Sequence, residues 1–199
     1  MEGQVARLPE TQHHRAPRHN GCRSHLFAVT TIDPQLPDAG LRRRGYALRF
    51  LVHPTATAHR DDFEQALRLV APDAPVEVVA APEEGYERHL REAALLVTDY
   101  SGIQFDCAYL VTPIVYYLPP ELPPNYATDG FDPVRDGFGP VCREQQELTA
   151  AVVKVLDDDL RVEERYAERV QEFFAFRDGS NCRRIYDDIV AGYELGRPR

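Results

Sequence analysis

The chain has 199 residues, of which 43% are hydrophobic and 28% charged, with a formal net charge of −9. That length suits one domain of roughly 100–200 residues, able to bury a core without a disulfide or metal staple. The composition argues against wholesale disorder, the lack of any apolar run near ~20 residues against a membrane span, and the acidic balance against general nucleic-acid binding.

Residues 1–45 form an irregular, basic segment. Residues 1–49 hold eight arginines and four acids, a balance of +4, which leaves −13 for the rest. His13, His14, Arg15, Pro17, Arg18 and His19 follow neither helix nor strand periodicity. Their Arg and Pro neighbours favour a basic tail over a metal site. Leu26–Ile32 reads as a short strand, broken by Pro34, Pro37 and Gly40.

From Tyr46 the pattern is regular, so residues 46–199 are read as one domain. Tyr46–Val52 is a buried strand that ends at His53-Pro54. Phe63, Ala66, Leu67 and Val70 space out as an amphipathic helix, with Asp61 and Asp62 in its first turn. Val76–Ala80 is a strand. Tyr86, Leu90, Ala93 and Ala94 mark a second helix, and Leu95–Thr98 a third strand of the domain. Ser101 opens a helix with Ile103, Cys107 and Leu110 inward. Pro113–Leu118 is a strand, followed by a Pro-rich loop to Pro140 and a short strand at Val141–Cys142. The run Asp157–Asp159 reads as a solvated helix start. Three helices close the chain, the last with Cys182, Ile185 and Ile189 inward.

Strands alternate with helices, and the strands are continuous apolar runs. This predicts an α/β fold, a single Rossmann-like domain whose parallel sheet is covered on both faces. Ligands of such sheets sit at the carboxyl ends of the strands. Cys22, Cys107, Cys142 and Cys182 form no CxxC pair. No export signal is seen, so they are read as free thiols in a reducing cytosol, with no metal site expected.

Two strand ends carry candidate chemistry. In the first, His53 follows Val52. An imidazole there can donate to a phosphate oxygen, act as general acid, or simply bond the backbone. In the second, Thr98-Asp99-Tyr100-Ser101-Gly102 lies between a buried strand and a helix. The N–H groups of a helix start attract phosphate, and Gly102 lets an anion approach the backbone. Ser101 with Gln104 equally fits a capping box that needs no ligand. Asp106, one turn on, can reach a ribose or face solvent. Asp178-Gly179 precedes the last helix, as a second anion-facing start or as an ordinary turn.

The run Thr98-Asp99-Tyr100-Ser101-Gly102-Ile103-Gln104-Phe105-Asp106, followed by Thr112-Pro113-Ile114-Val115-Tyr116-Tyr117, resembles the CDP-glycerol glycerophosphotransferases, the teichoic acid primases and polymerases. That family shows "TDYSS…FD" and then "KPIIFY". His53-Pro54 is similar to its "HP", Gly139-Pro140-Val141 with Glu147-Leu148 to its "GPVV…EEL", and Asp178-Gly179 to its "DG". The resemblance covers about residues 46–195. It implies a GT-B fold, of which this chain is the C-terminal, donor-nucleotide half.

The implied reaction moves glycerol phosphate from CDP-glycerol, or a related CDP-polyol, to a lipid-linked or polymeric acceptor hydroxyl. CMP is released, and neither a bound metal nor a cofactor is implied. His53 would be catalytic, against the donor phosphates. Thr98, Asp99, Ser101, Gly102, Asp106, Asp178 and Gly179 would bind the donor. Two positions depart from the pattern: Gly102 replaces a second Ser, and Ser180-Asn181-Cys182 replaces a "KAS"-like stretch.

The family's first catalytic His lies in an "HGTP"-type motif of the acceptor domain. Here His13, His14, His19 and His25 are followed by His, Arg, Asn and Leu, so a separate acceptor-domain chain is an expected partner. Two alternatives stand beside this reading. One is a nucleotide-binding remnant or regulatory module without turnover. The other is a GT-B transferase using another activated donor. The expected location is the cytoplasm, at the inner face of the membrane where a lipid-linked acceptor would be met.

Overall fold

The apolar runs of the chain become the strands of one sheet. The computed structural model describes residues 24–28, 40–70, 76–80, 85–122 and 130–195. Its strands are β1 (Ser24–Ala28), β2 (Tyr46–Leu51), β3 (Val76–Val79), β4 (Ala93–Thr98), β5 (Ile114–Tyr117) and β6 (Val141–Cys142). All adjacent pairs are parallel, in the order β3-β2-β1-β4-β5-β6. This is the doubly wound order, with its switch point between β1 and β4. The parallel α/β fold expected from the uninterrupted apolar runs is therefore the fold observed. The runs are continuous because both faces of a parallel sheet are covered. All six residues of β4 are buried.

The helices are α1 (Arg60–Val70), α2 (Glu87–Glu92), α3 (Ile103–Tyr109), α4 (Pro133–Asp136), α5 (Gln145–Asp157), α6 (Glu164–Phe173) and α7 (Asn181–Leu195). They divide between two cores. On one face Leu48, Phe50, Leu95, Val97 and Val115 pack with Phe63 and Leu67 of α1 and with Leu148 and Val152 of α5. On the other, Leu51, Leu96, Ile114 and Tyr116 meet Leu90 of α2, Cys107 and Ala108 of α3, and Val170 of α6. Alternation along β2 sends Phe50 to the first core and Leu51 to the second.

β1 lies within the stretch read as an irregular segment and overlaps the strand expected over Leu26–Ile32. It pairs with β2 on one side and β4 on the other, at the centre of the sheet. His13, His14, His19 and Cys22 fall outside the described residues.

Four local expectations change. Ala93 and Ala94, read as helical, open β4, because the sheet buries them at 7% and 4% exposure. The Pro-rich loop contains α4, whose cap is Asp132. Its Oδ1 accepts from the N–H groups of Val134 and Arg135 at 2.8 and 3.0 Å. Asp157–Asp159 ends α5 rather than starting a helix. The start of α5 is set by a capping box between Glu144 and Glu147, and Asp159 turns the chain out at φ 57°. Finally, the stripe on α7 is not covered by the described residues, where Ile185 and Ile189 are 60% and 66% exposed.

Among the described residues no helix is long and apolar enough to cross a membrane.

Candidate functional site

β2 delivers its chain end to the ligand edge of the sheet. The Val52 N–H extends the ladder to the Val79 carbonyl at 2.8 Å, and the His53 carbonyl then accepts from the Ala56 N–H at 2.8 Å. His53 emerges between these bonds with its side chain exposed. β4 delivers the other end. Thr98 and Asp99 are buried at 2% and 9% exposure, Ser101 is half-buried, and Gly102 is exposed.

A cavity of about 260 Å³ joins the two ends. Leu51, Val52 and His53 line it from β2, Tyr86 and Leu90 from α2, and Ser101, Ile103 and Asp106 from the start of α3. Three candidates from two strand ends, His53 after β2 and Ser101 and Asp106 after β4, thus line one cavity. The site offers an imidazole, a hydroxyl and a carboxylate against an apolar floor. Such a mixture, an apolar lining with a few convergent polar groups, is that of a small-molecule site. Asp178 and Gly179 are not among the lining residues.

The capping box expected of Ser101 and Gln104 is not formed. Gly102 is the N-cap of α3, and no side chain caps that helix. Gln104 instead turns into the core, where its Oε1 accepts from the Tyr116 hydroxyl at 2.7 Å. The tyrosine oxygen in turn accepts from the Phe138 N–H at 3.2 Å. Thr98 Oγ1 and Gln104 Nε2 are buried polar atoms that find no partner among the described residues. Thr98 sits opposite Tyr116 in the β4–β5 register, so these groups share one layer under α3.

Glycines at the site separate into two kinds. A Cβ on Gly102 would meet nothing within 4 Å, and the backbone there is ordinary right-handed helix at φ −62°. The fold itself does not require glycine at this position. Gly139 differs: its Cβ would lie 1.8 Å from the Ile114 carbonyl oxygen. The Gly139-Pro140-Val141 stretch is therefore a packing feature beside β5.

Asp178 pairs with Arg184 and accepts from the Ser180 N–H at 3.0 Å. These bonds hold its carboxyl down at about 2. Gly179 follows at φ 74°, in the left-handed region that favours glycine. The geometry there is a turn leading into α7.

Two residues with long-range side-chain bonds escaped the sequence reading, Tyr86 in the cavity wall and Arg49 in β2. Tyr86, taken only as an apolar helix position, donates its hydroxyl to the Val52 carbonyl at 3.1 Å. Burial raises its phenol above the ordinary value. Arg49 lies mid-strand in β2 at 7% exposure. It donates to Glu77 at 2.8 Å and Glu92 at 3.1 Å, and contacts His89 Nδ1 at 2.9 Å. A buried charge of this kind persists only when paired. Burial, then Arg49, lowers the His89 pKa. An Arg inside an apolar run was the available signal.

Cys107 and Cys142 are buried free thiols, pushed by burial up to about 12 and about 11. Cys182 is free and exposed. Among the described residues no group of three His, Cys, Asp or Glu could hold a metal ion.

Comparison with known proteins places this geometry in context. The Bacillus subtilis (strain 168) minor teichoic acid biosynthesis protein GgaB is 28% identical over 149 residues, covering 75% of this chain and 16% of GgaB. The solved wall teichoic acid polymerase TagF is similar in fold, with a TM-score of 0.56 at 18% identity. That match covers 87% of this chain and 44% of TagF. The H444N variant of TagF matches with a TM-score of 0.54 at the same identity, over 86% of this chain and 44% of that one. The chain thus spans less than half the length of these relatives, and its sheet corresponds to one Rossmann-like half of the GT-B fold. The family model of CDP-glycerol:poly(glycerophosphate) glycerophosphotransferases matches residues 30–191. This match takes in all of β2 to β6 and both strand ends of the cavity, and the chain belongs to that family.

Proposed function

We propose that this chain carries the donor-binding half of a glycerophosphotransferase that uses CDP-glycerol. The observation behind this reading is the single cavity that gathers His53, Ser101 and Asp106 from the ends of β2 and β4. Family membership supplies the reaction class. A teichoic-acid-type acceptor, lipid-linked or polymeric, would bring the attacking hydroxyl. An acceptor domain, on this polypeptide or another, would bring the group that takes the hydroxyl proton. With a lipid-linked acceptor, the work would be done at the inner face of the membrane.

The chemistry assigned to this half is charge stabilisation and leaving-group help. The acceptor oxygen forms a bond to the glycerol-bearing phosphorus as the bond from that phosphorus to the CMP oxygen breaks. Negative charge then grows on CMP. A ring N–H of His53 would donate to that oxygen, and Ser101 and the Gly102 N–H to the phosphate oxygens. α3 has only seven residues, so the local N–H groups rather than a long helix dipole would matter. Asp106 would accept from a ribose or glycerol hydroxyl. Thr98, Asp99, Asp178 and Gly179 enter the proposal through the family pattern.

Calorimetric titration with CDP-glycerol, CDP-ribitol and a UDP-sugar tests the reading. CDP-glycerol should bind and raise the melting temperature by ordinary linkage. Ser101→Ala should weaken binding at least tenfold while leaving stability unchanged, since no side chain caps α3. No binding at millimolar CDP-glycerol would remove the donor-site assignment, and preference for the UDP-sugar would move it to another donor.

A further inference from the structure

We propose that Tyr86 is a positioning residue for His53; this rests on the reading of the cavity as the donor site. Its hydroxyl donates to the Val52 carbonyl at 3.1 Å, across 34 residues of sequence. That carbonyl belongs to the peptide joining Val52 to His53. The preceding peptide is held by the Val52 N–H bond to Val79, and the following one by the Ala56 N–H on the His53 carbonyl, each at 2.8 Å. Tyr86 therefore closes the middle of three consecutive constraints around one residue. Side-chain rotamers follow backbone angles, so holding the Val52–His53 peptide restricts where the imidazole points.

Tyr86 is also placed for this task rather than for a structural alternative. It is the N-cap of α2, yet its side chain makes no capping bond, and its backbone is right-handed helical at φ −86°. The ring lines the same cavity as His53. One side chain thus forms cavity wall and anchors the peptide that carries the imidazole.

The test uses the full chain and the variant Tyr86→Phe, which keeps the ring and removes one oxygen. The His53 ring Hε1 resonance, assigned by its loss in His53→Ala, should shift in Tyr86→Phe without ligand, while the other histidine signals stay in place. An unmoved His53 signal overturns the proposal, whether or not CDP-glycerol binds. In calorimetry, Tyr86→Phe should weaken CDP-glycerol binding about fivefold, the scale of one neutral hydrogen bond. That loss should vanish in the His53→Ala background. An equal loss in both backgrounds would show that Tyr86 acts directly on the ligand and would also overturn the proposal. If the wild-type chain binds no CDP-glycerol, the donor assignment fails and the resonance measurement alone decides the role of Tyr86. Should Tyr86→Phe fold poorly, Tyr86→Trp, which also lacks the hydroxyl, is read by the same resonance.

Discussion

The Tyr116 hydroxyl donates to Gln104 Oε1 at 2.7 Å, and both side chains are completely buried. This bond ties α3, which carries the Ser101–Gly102 end of the cavity, to β5 beneath it. The Phe138 N–H completes the chain by donating to the same tyrosine oxygen.

Tyr116→Phe should therefore leave two buried groups without their partner. The expected loss is about 2 kcal/mol, or roughly 4–8 °C in melting temperature for a domain of this size. Adding Gln104→Leu should recover part of it, because removing both partners of a buried bond is nearly neutral. Equilibrium urea unfolding of the two variants measures this. A double variant less stable than Tyr116→Phe would contradict the role given to the bond.

Gly102→Ala and Gly139→Ala should behave oppositely. At Gly102 a methyl meets open space at an ordinary helical φ. Stability should hold or rise by about 0.5 kcal/mol, while CDP-glycerol affinity should fall at least tenfold. At Gly139 the methyl would collide with the Ile114 carbonyl oxygen at 1.8 Å, and stability should drop by about 2–3 kcal/mol. Thermal melts and titrations of both variants separate a ligand-facing glycine from a packing one. Unchanged affinity in Gly102→Ala would mean the donor does not approach that backbone.

Cysteine labelling should be selective. The thiolate is the reactive species, and burial pushes Cys107 and Cys142 to about 12 and about 11. At pH 8, iodoacetamide should modify exposed Cys182 within minutes and leave Cys107 and Cys142 unlabelled until the chain unfolds. Peptide mass mapping reads this directly. Fast labelling of Cys107 in the native state would show that α3 opens away from β5.

The Asp178–Arg184 pair should leave a signature at low pH. The folded carboxyl, at about 2, lies below its ordinary value of 3.8. A depressed carboxyl stabilises the fold above the unfolded pKa, and that contribution fades as pH falls through the folded value. Asp178→Asn should melt lower than wild type at pH 7. The gap should close as pH falls from about 4 to about 2. Because the pair is exposed, 1 M salt should also shrink the gap.

Much of the fold was legible because burial leaves a periodic trace. The runs Tyr46–Val52, Leu95–Thr98 and Pro113–Leu118 are predominantly apolar, with Arg49 and Thr98 among their exceptions, and each became a strand covered on both faces. His53 and Ser101 were singled out because strand ends followed by a turn and a small or polar residue are recognisable in one dimension, and both line the cavity. The same traces misled where they record a pattern but not its partner. Gln104, three residues beyond Ser101, looked like half of a capping box, yet Tyr116 draws it inward. The α7 stripe is present as read, but periodicity cannot say what covers it, and the described residues do not. Tyr86 looked like one more apolar helix position, since nothing local distinguishes a tyrosine that packs from one that holds a distant carbonyl.

The amino-acid order alone thus pointed to the parallel α/β class, most of the succession of elements and the two strand ends that line the cavity. These depend on local hydrophobic spacing and on the few residue types that end strands and start helices. Only the tertiary structure decided the strand order, with β1 between β2 and β4, and the meeting of His53 with Ser101 and Asp106 in one cavity. It alone showed which glycine the packing demands and which it leaves free. The physical reason is range. The bonds that shape the site join residues 12 and 34 positions apart, and such pairings arise only when the sheet has brought its strands side by side.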